Sequence, residues 1–105
     1  MRAFADGGAD VGGRVGVRQL TRARAVAGSC KGVNANAVAS GFFATPLTAA
    51  VASDPVKWSA NAARTFIGRN GELPDLRGTT LYLASRASDY VTGQTIFVDG
   101  GFSAG

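Results

Sequence analysis

Residues 90–101 read Tyr90-Val91-Thr92-Gly93-Gln94-Thr95-Ile96-Phe97-Val98-Asp99-Gly100-Gly101. Thr95 to Val98 is a β-branched and aromatic run of strand length, closed by the turn residues Asp99, Gly100 and Gly101. Upstream, Pro74 opens a helix with Asp75 in its first turn, and Leu76, Thr80, Leu81 and Ala84 give it one face as far as about Ser85. Further back, Val33 to Ala39 is a run of small and apolar residues between Gly32 and Gly41, the composition of a buried strand. Between these elements Thr45 precedes Pro46, a helix-start signal, and Leu47, Val51 and Trp58 predict one or two short helices interrupted at Pro55. Strand, helical excursion, helix and strand together make a βαβ unit with parallel strands.

A leading helix is expected from Val15 to Gly28. Val17, Leu20, Ala23 and Ala27 share one face, and Arg14, Arg18 and Arg22 line another at i, i+4 spacing. Arg24 interrupts the apolar stripe, so this face is partly solvated or the helix is compromised. Residues 1–14 are expected to be a glycine-rich disordered lead-in, because each interior glycine costs a helix about 1 kcal/mol relative to alanine. Residues 15–105 are the folded portion.

The 105 residues leave room for one small domain, and 46% hydrophobic against 17% charged residues is a globular composition. The net charge of +4 is local: Arg2, Arg14, Arg18, Arg22, Arg24 and Lys31 face only Asp6 and Asp10 in the first 31 residues, and the remainder balances. The arginine stripe has no interleaved aromatics, so a solvated face is favoured over nucleic-acid binding. Histidine is absent, which removes Ser-His catalysis and the commonest zinc ligand, and no metal site is expected. The single cysteine, Cys30, cannot form an internal disulfide and reads as a buried or incidental thiol in a reducing compartment. No apolar run has the length of a membrane span and no signal-peptide core follows Met1, so a soluble cytoplasmic chain is expected.

Several ordered motifs carry a family resemblance. They are Gly32-Val33-Asn34-Ala35-Asn36-Ala37-Val38-Ala39-Ser40-Gly41, Phe42-Phe43-Ala44-Thr45-Pro46, Gly68-Arg69-Asn70-Gly71-Glu72, Leu81-Tyr82-Leu83-Ala84-Ser85, Tyr90 to Gln94, and Val98-Asp99-Gly100-Gly101. From about Gly16 to Gly101 the chain resembles the C-terminal part of the short-chain dehydrogenases/reductases, most of all the gluconate 5-dehydrogenase and 3-oxoacyl-carrier-protein reductase group. The resemblance implies an α/β fold: the C-terminal part of a Rossmann-like parallel sheet, two strands with flanking helices, incomplete as an isolated domain. It also implies NAD or NADP as cofactor and an alcohol/carbonyl pair as substrate. Members of the family are longer, and their N-terminal half binds the dinucleotide.

The resemblance can be followed residue by residue. The family's glycine fingerprint, G-x-x-x-G-x-G, has only the candidates Gly8-x3-Gly12-x-Arg14 and Gly12-x3-Gly16-x-Arg18, each with arginine in place of the last glycine. The family's Tyr-x-x-x-Lys pair, counted back from Leu20-Thr21-Arg22, falls on Asp10 and Arg14. Aspartate is ionised at neutral pH and cannot donate the proton that the tyrosine phenol hands over, so no catalytic residue is assigned. Tyr82-Leu83-Ala84-Ser85-Arg86-Ala87 mimics the family's catalytic signature, but it falls where the family has a structural helix, and Tyr82 is expected to pack on the sheet. The cofactor-site wall does carry over: Gly41, Phe43 and Thr45 match the Pro-Gly-x-x-x-Thr turn beside the nicotinamide, with Ser40 in place of proline. A plain loop-to-helix junction, with Thr45 as cap and the phenylalanines as core, is the other use of these residues and the one favoured without the N-terminal half. The excursion Leu47 to Phe66 matches the substrate-covering region, where Phe42, Phe43, Leu47, Val51 and Trp58 serve either as an apolar lid or as packing. Two expectations of function stand side by side. One is a truncated NAD(P)-dependent oxidoreductase, inactive alone and held by self-association or a complementing chain. The other is a non-catalytic interaction module using its exposed sheet edge and basic helix.

Overall fold

A computed structural model describes residues 11–105, and their side chains from Val15 onward. Helix α1 spans Val11–Gly28, strand β1 Ala37–Ser40, helix α2 Ala49–Ala52, helix α3 Pro55–Ala63, helix α4 Arg77–Ala84 and strand β2 Thr95–Val98. Among the described residues the sheet has two parallel strands, in the register Ala37 to Thr95, Val38 to Ile96, Ala39 to Phe97 and Ser40 to Val98. The expected α/β unit, with a leading helix and a helical crossover, is therefore present, and β2 has the bounds read from its β-branched run.

Helix α1 begins four residues before the expected Val15, so residues 11–14 of the anticipated lead-in are helical. Extending a formed helix costs far less than starting one, which lets it run through Gly12 and Gly13. The rest of that lead-in, residues 1–10, lies outside the described residues. Helix α1 ends at Gly28 as expected. Its buried face differs from the apolar stripe, however. Thr21 and Ala25 are buried, whereas Leu20, Ala23 and Ala27 are exposed. The Thr21 hydroxyl donates to the Val17 carbonyl at 2.8 Å, so the threonine is satisfied within its own helix and its methyl can face the sheet. Arg24 then lies on an exposed surface, and no buried guanidinium arises.

Strand β1 is shorter than the expected Val33 to Ala39. Val33 is exposed and its amide donates to the Gly28 carbonyl, closing the end of α1. Asn34 and Asn36 give their side chains to the opposite segment instead: Asn34 Nδ2 donates to Asp89 O (3.0 Å) and Asn36 Nδ2 to Val91 O (2.9 Å). Asn36 Oδ1 in turn accepts from Gln94 N at 3.1 Å. Thr92 Oγ1 adds contacts to Ser29 Oγ (2.8 Å) and Ala35 N (3.2 Å). This side-chain zipper aligns the two segments before the backbone ladder begins.

Helix α4 follows a 3₁₀ turn at Leu73–Leu76 and stops at Ala84, close to the expected Ser85. Its less exposed positions are Thr79 and Leu83, following Leu76 in the turn, rather than Thr80, Leu81 and Ala84. Tyr82 is a helix residue as expected, but its ring does not pack away on the sheet: it stays exposed, because the helix turns the 76/79/83 side inward. Among the described residues the apolar core is thin. Ala25, Ala37 and Phe43 are buried, while Val26, Val56, Phe66, Ile67, Leu73 and Leu81 stand at more than 60% exposure. Among the described residues no helix is long and apolar enough to cross a membrane.

The zipper gives a direct test. Asn36→Ala removes one donor and one acceptor that span the two segments, and urea unfolding of the full chain should show a loss of about 1–3 kcal/mol.

Candidate functional site

The site is built where the two strands end side by side. The Gly41 amide donates to Val98 O at 2.9 Å, extending the ladder by one bond past β1. A Cβ on Gly41 would lie 2.7 Å from the Asp99 Cα, so only glycine lets these two turns touch. After it, Phe43 forms a parallel bridge with Gly71, and the Gly71 amide donates to Phe42 O at 2.9 Å. The Phe43 ring is buried and lies directly over Gly71, where a Cβ would meet the ring at 2.5 Å. The Phe43 ring is thus committed to packing.

Thr45 caps the 3₁₀ turn Pro46–Thr48 with a reciprocal pair: its Oγ1 accepts from Thr48 N (3.3 Å), and its amide donates to Thr48 Oγ1 (2.9 Å). The Thr48 hydroxyl also donates to Phe43 O at 2.6 Å. Thr48 is therefore a site residue that the sequence reading passed over, although the Thr-x-x-Thr spacing of a capping box was present. The capping use of Thr45 and the core use of Phe43 are both realised.

Gly41 and Phe43 line a cavity of about 170 Å³ together with Phe42, Thr65, Ile67, Arg69, Asn70, Gly71, Asp75 and the Val98 to Gly100 turn. Thr45 stands outside this lining, at the head of the helical excursion. Of the anticipated lid residues, Phe42 and Trp58 meet edge to face with ring centroids 5.6 Å apart. Leu47 is exposed and Val51 half-buried, so the apolar contact is confined to the Phe42 and Trp58 pair and the buried Phe43. Asp10 lies outside the described residues, as does the side chain of Arg14. Cys30 is exposed in the 3₁₀ turn after α1, which leaves the incidental reading of its thiol. Among the described residues no cluster of metal-ligating side chains occurs.

Two carboxylates hold the cavity's shape. Asp75 receives both guanidinium nitrogens of Arg69, at 2.7 and 2.8 Å, and the Glu72 amide at 2.8 Å. The hydrogen bonds from Arg69, then the Glu72 amide, hold the Asp75 carboxyl well below the ordinary carboxylate range, and the same pair raises Arg69. Burial pushes Asp99 upward, but hydrogen bonds from Ser103 and the Gly101 amide outweigh it, and its carboxyl is also lowered. The Arg69 and Asp75 pair carried no periodic signal in the sequence, because it joins a turn to a short 3₁₀ segment.

The arrangement of a glycine-terminated parallel strand, a buried Phe43 turn and an Asp99-Gly100-Gly101 turn is matched by known proteins. The family model described as enoyl-(acyl carrier protein) reductase covers residues 4–103. The chain belongs to the short-chain dehydrogenase/reductase family. Galactitol 2-dehydrogenase (L-tagatose-forming) of Cereibacter sphaeroides is 40% identical over 83% of this chain and 34% of its own length. Gluconate 5-dehydrogenase of Gluconobacter oxydans is 37% identical over 83% of this chain and 34% of its own. The crystal structure of a gluconate 5-dehydrogenase from Burkholderia cenocepacia, in complex with NADP and tartrate, superposes with a TM-score of 0.84 at 39% identity. That match covers 89% of this chain and 36% of the other. The chain thus spans about a third of the length of the curated relatives it matches, and its two strands and flanking helices are the corresponding piece of a Rossmann sheet.

Two measurements check the site. Gly71→Ala drives a methyl into the Phe43 ring and should destabilise the chain by about 1–3 kcal/mol in denaturant titration. Because the folded-state Asp75 carboxyl is depressed, its stabilisation is present above the ordinary carboxylate range and is lost as the pH falls towards the folded value. Thermal melts of wild type and Asp75→Asn should therefore differ at neutral pH and converge in strong acid.

Proposed function

We propose that this chain forms the nicotinamide-side wall of an NAD(P)-dependent oxidoreductase that interconverts an alcohol and a carbonyl. The observation that carries the reading is the contact of Gly41 with Asp99, which sets the Phe43 backbone and the Thr45 cap beyond the ends of two parallel strands. In a parallel α/β sheet this is the edge where ligands bind. Gly41 gives close backbone approach, the Phe43 backbone supplies hydrogen-bonding groups for a carboxamide, and the Thr45 hydroxyl reaches the carboxamide or phosphates. The NADP complex of the Burkholderia relative supports a dinucleotide ligand, and the polyol and sugar-acid names of the relatives support a polyhydroxylated substrate. The α2 and α3 excursion, with Trp58 against Phe42, covers the substrate side.

The 105 residues carry no reaction by themselves in this reading. The positions matched to the proton-transferring Tyr and Lys hold Asp10 and Arg14, and a carboxylate ionised at neutral pH has no proton to give. A complementing chain or self-association covers the sheet edge. The exposed Cys30 thiol supports a reducing compartment, the cytoplasm. A second reading, of a non-catalytic interaction module, draws support from the exposed apolar side chains and from Arg18 and Arg22, which line a polar notch with Gln94 and Thr95.

The test is titration of the isotope-labelled full chain with NADPH, followed by amide shifts. The expected result is perturbation of residues 41–48, weakened in Thr45→Val, with no nicotinamide reduction when gluconate or galactitol is added with NADP. Unmoved amides at 41–48 would remove the cofactor wall, and turnover would remove the inactivity of the chain.

A further inference from the structure

Asn70 is 7% exposed, and its two side-chain ends are treated differently by the fold. Nδ2 donates to the Trp58 carbonyl on α3 at 2.7 Å. Oδ1 is buried and, among the described residues, has no partner. The orientation is fixed by chemistry, since a flipped amide would set an oxygen against the Trp58 carbonyl. A buried acceptor without a partner is unfavourable, and an apolar side chain of the same shape would remove that cost. The amide is therefore suited to this position by its donor end alone.

The backbone on either side of Asn70 is rigidly tied. Arg69 Nη1 donates to Asn70 O at 3.0 Å while the same guanidinium holds Asp75, and the next residue, Gly71, lies under the Phe43 ring. Thr65 Oγ1 accepts from the Gly68 and Arg69 amides, and its single proton is shared between Ala62 O at 2.8 Å and Arg69 O at 3.1 Å. Helix α3, by contrast, carries no buried residue. At its C-terminal end the Ala62 carbonyl accepts from the Thr65 hydroxyl (2.8 Å) and amide (3.1 Å); at its N-terminal turns its ties to the cavity are the Trp58 ring against Phe42 and the bond from Asn70 to the Trp58 carbonyl.

We propose that Asn70 is a positioning residue, a latch that fixes α3 against the cavity wall and thereby keeps the Trp58 ring on Phe42. Its importance for substrate rests on the proposed oxidoreductase reading, in which the α2 and α3 excursion covers the substrate side. The latch itself is a property of this chain and is tested without substrate.

Trp58 is the only tryptophan in the sequence, so its emission reports the latch directly. The decisive variant is Asn70→Asp, which donates to the Trp58 carbonyl only when its carboxyl is protonated. The other titratable groups lining the same cavity are Arg69, Asp75 and Asp99. They are common to wild type and variant, so wild type is the control. Between about pH 8 and about pH 3, a range that brackets the ordinary carboxyl value, wild-type emission should stay constant. Asn70→Asp should be red-shifted at the upper end and return reversibly to the wild-type maximum at the lower. Asn70→Leu, which lacks the donor at every pH, should be red-shifted throughout with its helical circular dichroism intact. Emission that tracks wild type in Asn70→Asp over a range in which the carboxyl carbon shift of residue 70 shows it to titrate, or in Asn70→Leu with its helical circular dichroism intact, overturns the latch. Failure of NADPH to shift the amides of residues 41–48, with the Asn70→Asp emission still titrating, would instead overturn the oxidoreductase reading and leave the latch standing.

Discussion

The rest of the structure depends on the fixed register of two short parallel strands. A ladder of four residues on each side is weak by itself, and parallel pairing is slightly less stable per residue than antiparallel. It is pinned at both ends instead. At the start, Asn34 and Asn36 bond across to the backbone of Asp89, Val91 and Gln94. At the finish, the Gly41 amide reaches Val98 O and the missing Cβ of Gly41 admits the Asp99 turn. Slipping the register by one residue would break the polar clamp and set Ser40 or Phe42, each with a Cβ, against the Asp99 turn in place of Gly41. The ligand-side geometry follows from this, because the Phe43 turn and the Asp99 turn are neighbours only in this register.

What the sequence made legible was what depends on local chemistry. Thr95 to Val98 was readable because β-branched and aromatic residues are bounded by a glycine turn, and the Thr45 cap because hydroxyl and proline sit in adjacent positions. The buried face of α1 was not readable, since the reading counted apolar residues while the helix buries Thr21, whose hydroxyl is satisfied by its own backbone. Val33 to Asn36 read as strand for a related reason: asparagine side chains took over the hydrogen bonding that a longer ladder would have used. In the site, Gly41, Phe43 and Thr45 were named from motif resemblance. Thr48 was available from the Thr-x-x-Thr spacing of its capping box, whereas Asn70 and the Arg69 and Asp75 pair emerge only when the chain is folded, because each acts across a turn or between elements.

The core of the described residues is thin for a physical reason. A parallel unit normally buries both faces of its sheet, and here much of the large apolar surface stays open while side-chain hydrogen bonds and tight glycine contacts set the geometry. Directional bonds specify arrangement well but add little net stability each, whereas burial of apolar area supplies most of the driving force. The chain therefore has a sharply specified site on a lightly stabilised frame, which is the division of labour expected of one portion of a larger sheet.

The clamp between residues 34–36 and 89–94 also governs the order of events in folding. Its bonds join positions 55 to 58 residues apart in the chain. Helices α3 and α4 lie inside that span and need only local contacts, so they can form while the ends are still separate. Closing the long loop must precede any benefit from the ladder, and topology of this kind slows the crossing of the folding barrier. Until closure, Ile96, Phe97 and the backbone of both strands remain open to any other edge that arrives first. The asparagine clamp thus sets the length of time for which the unfinished chain is vulnerable to association.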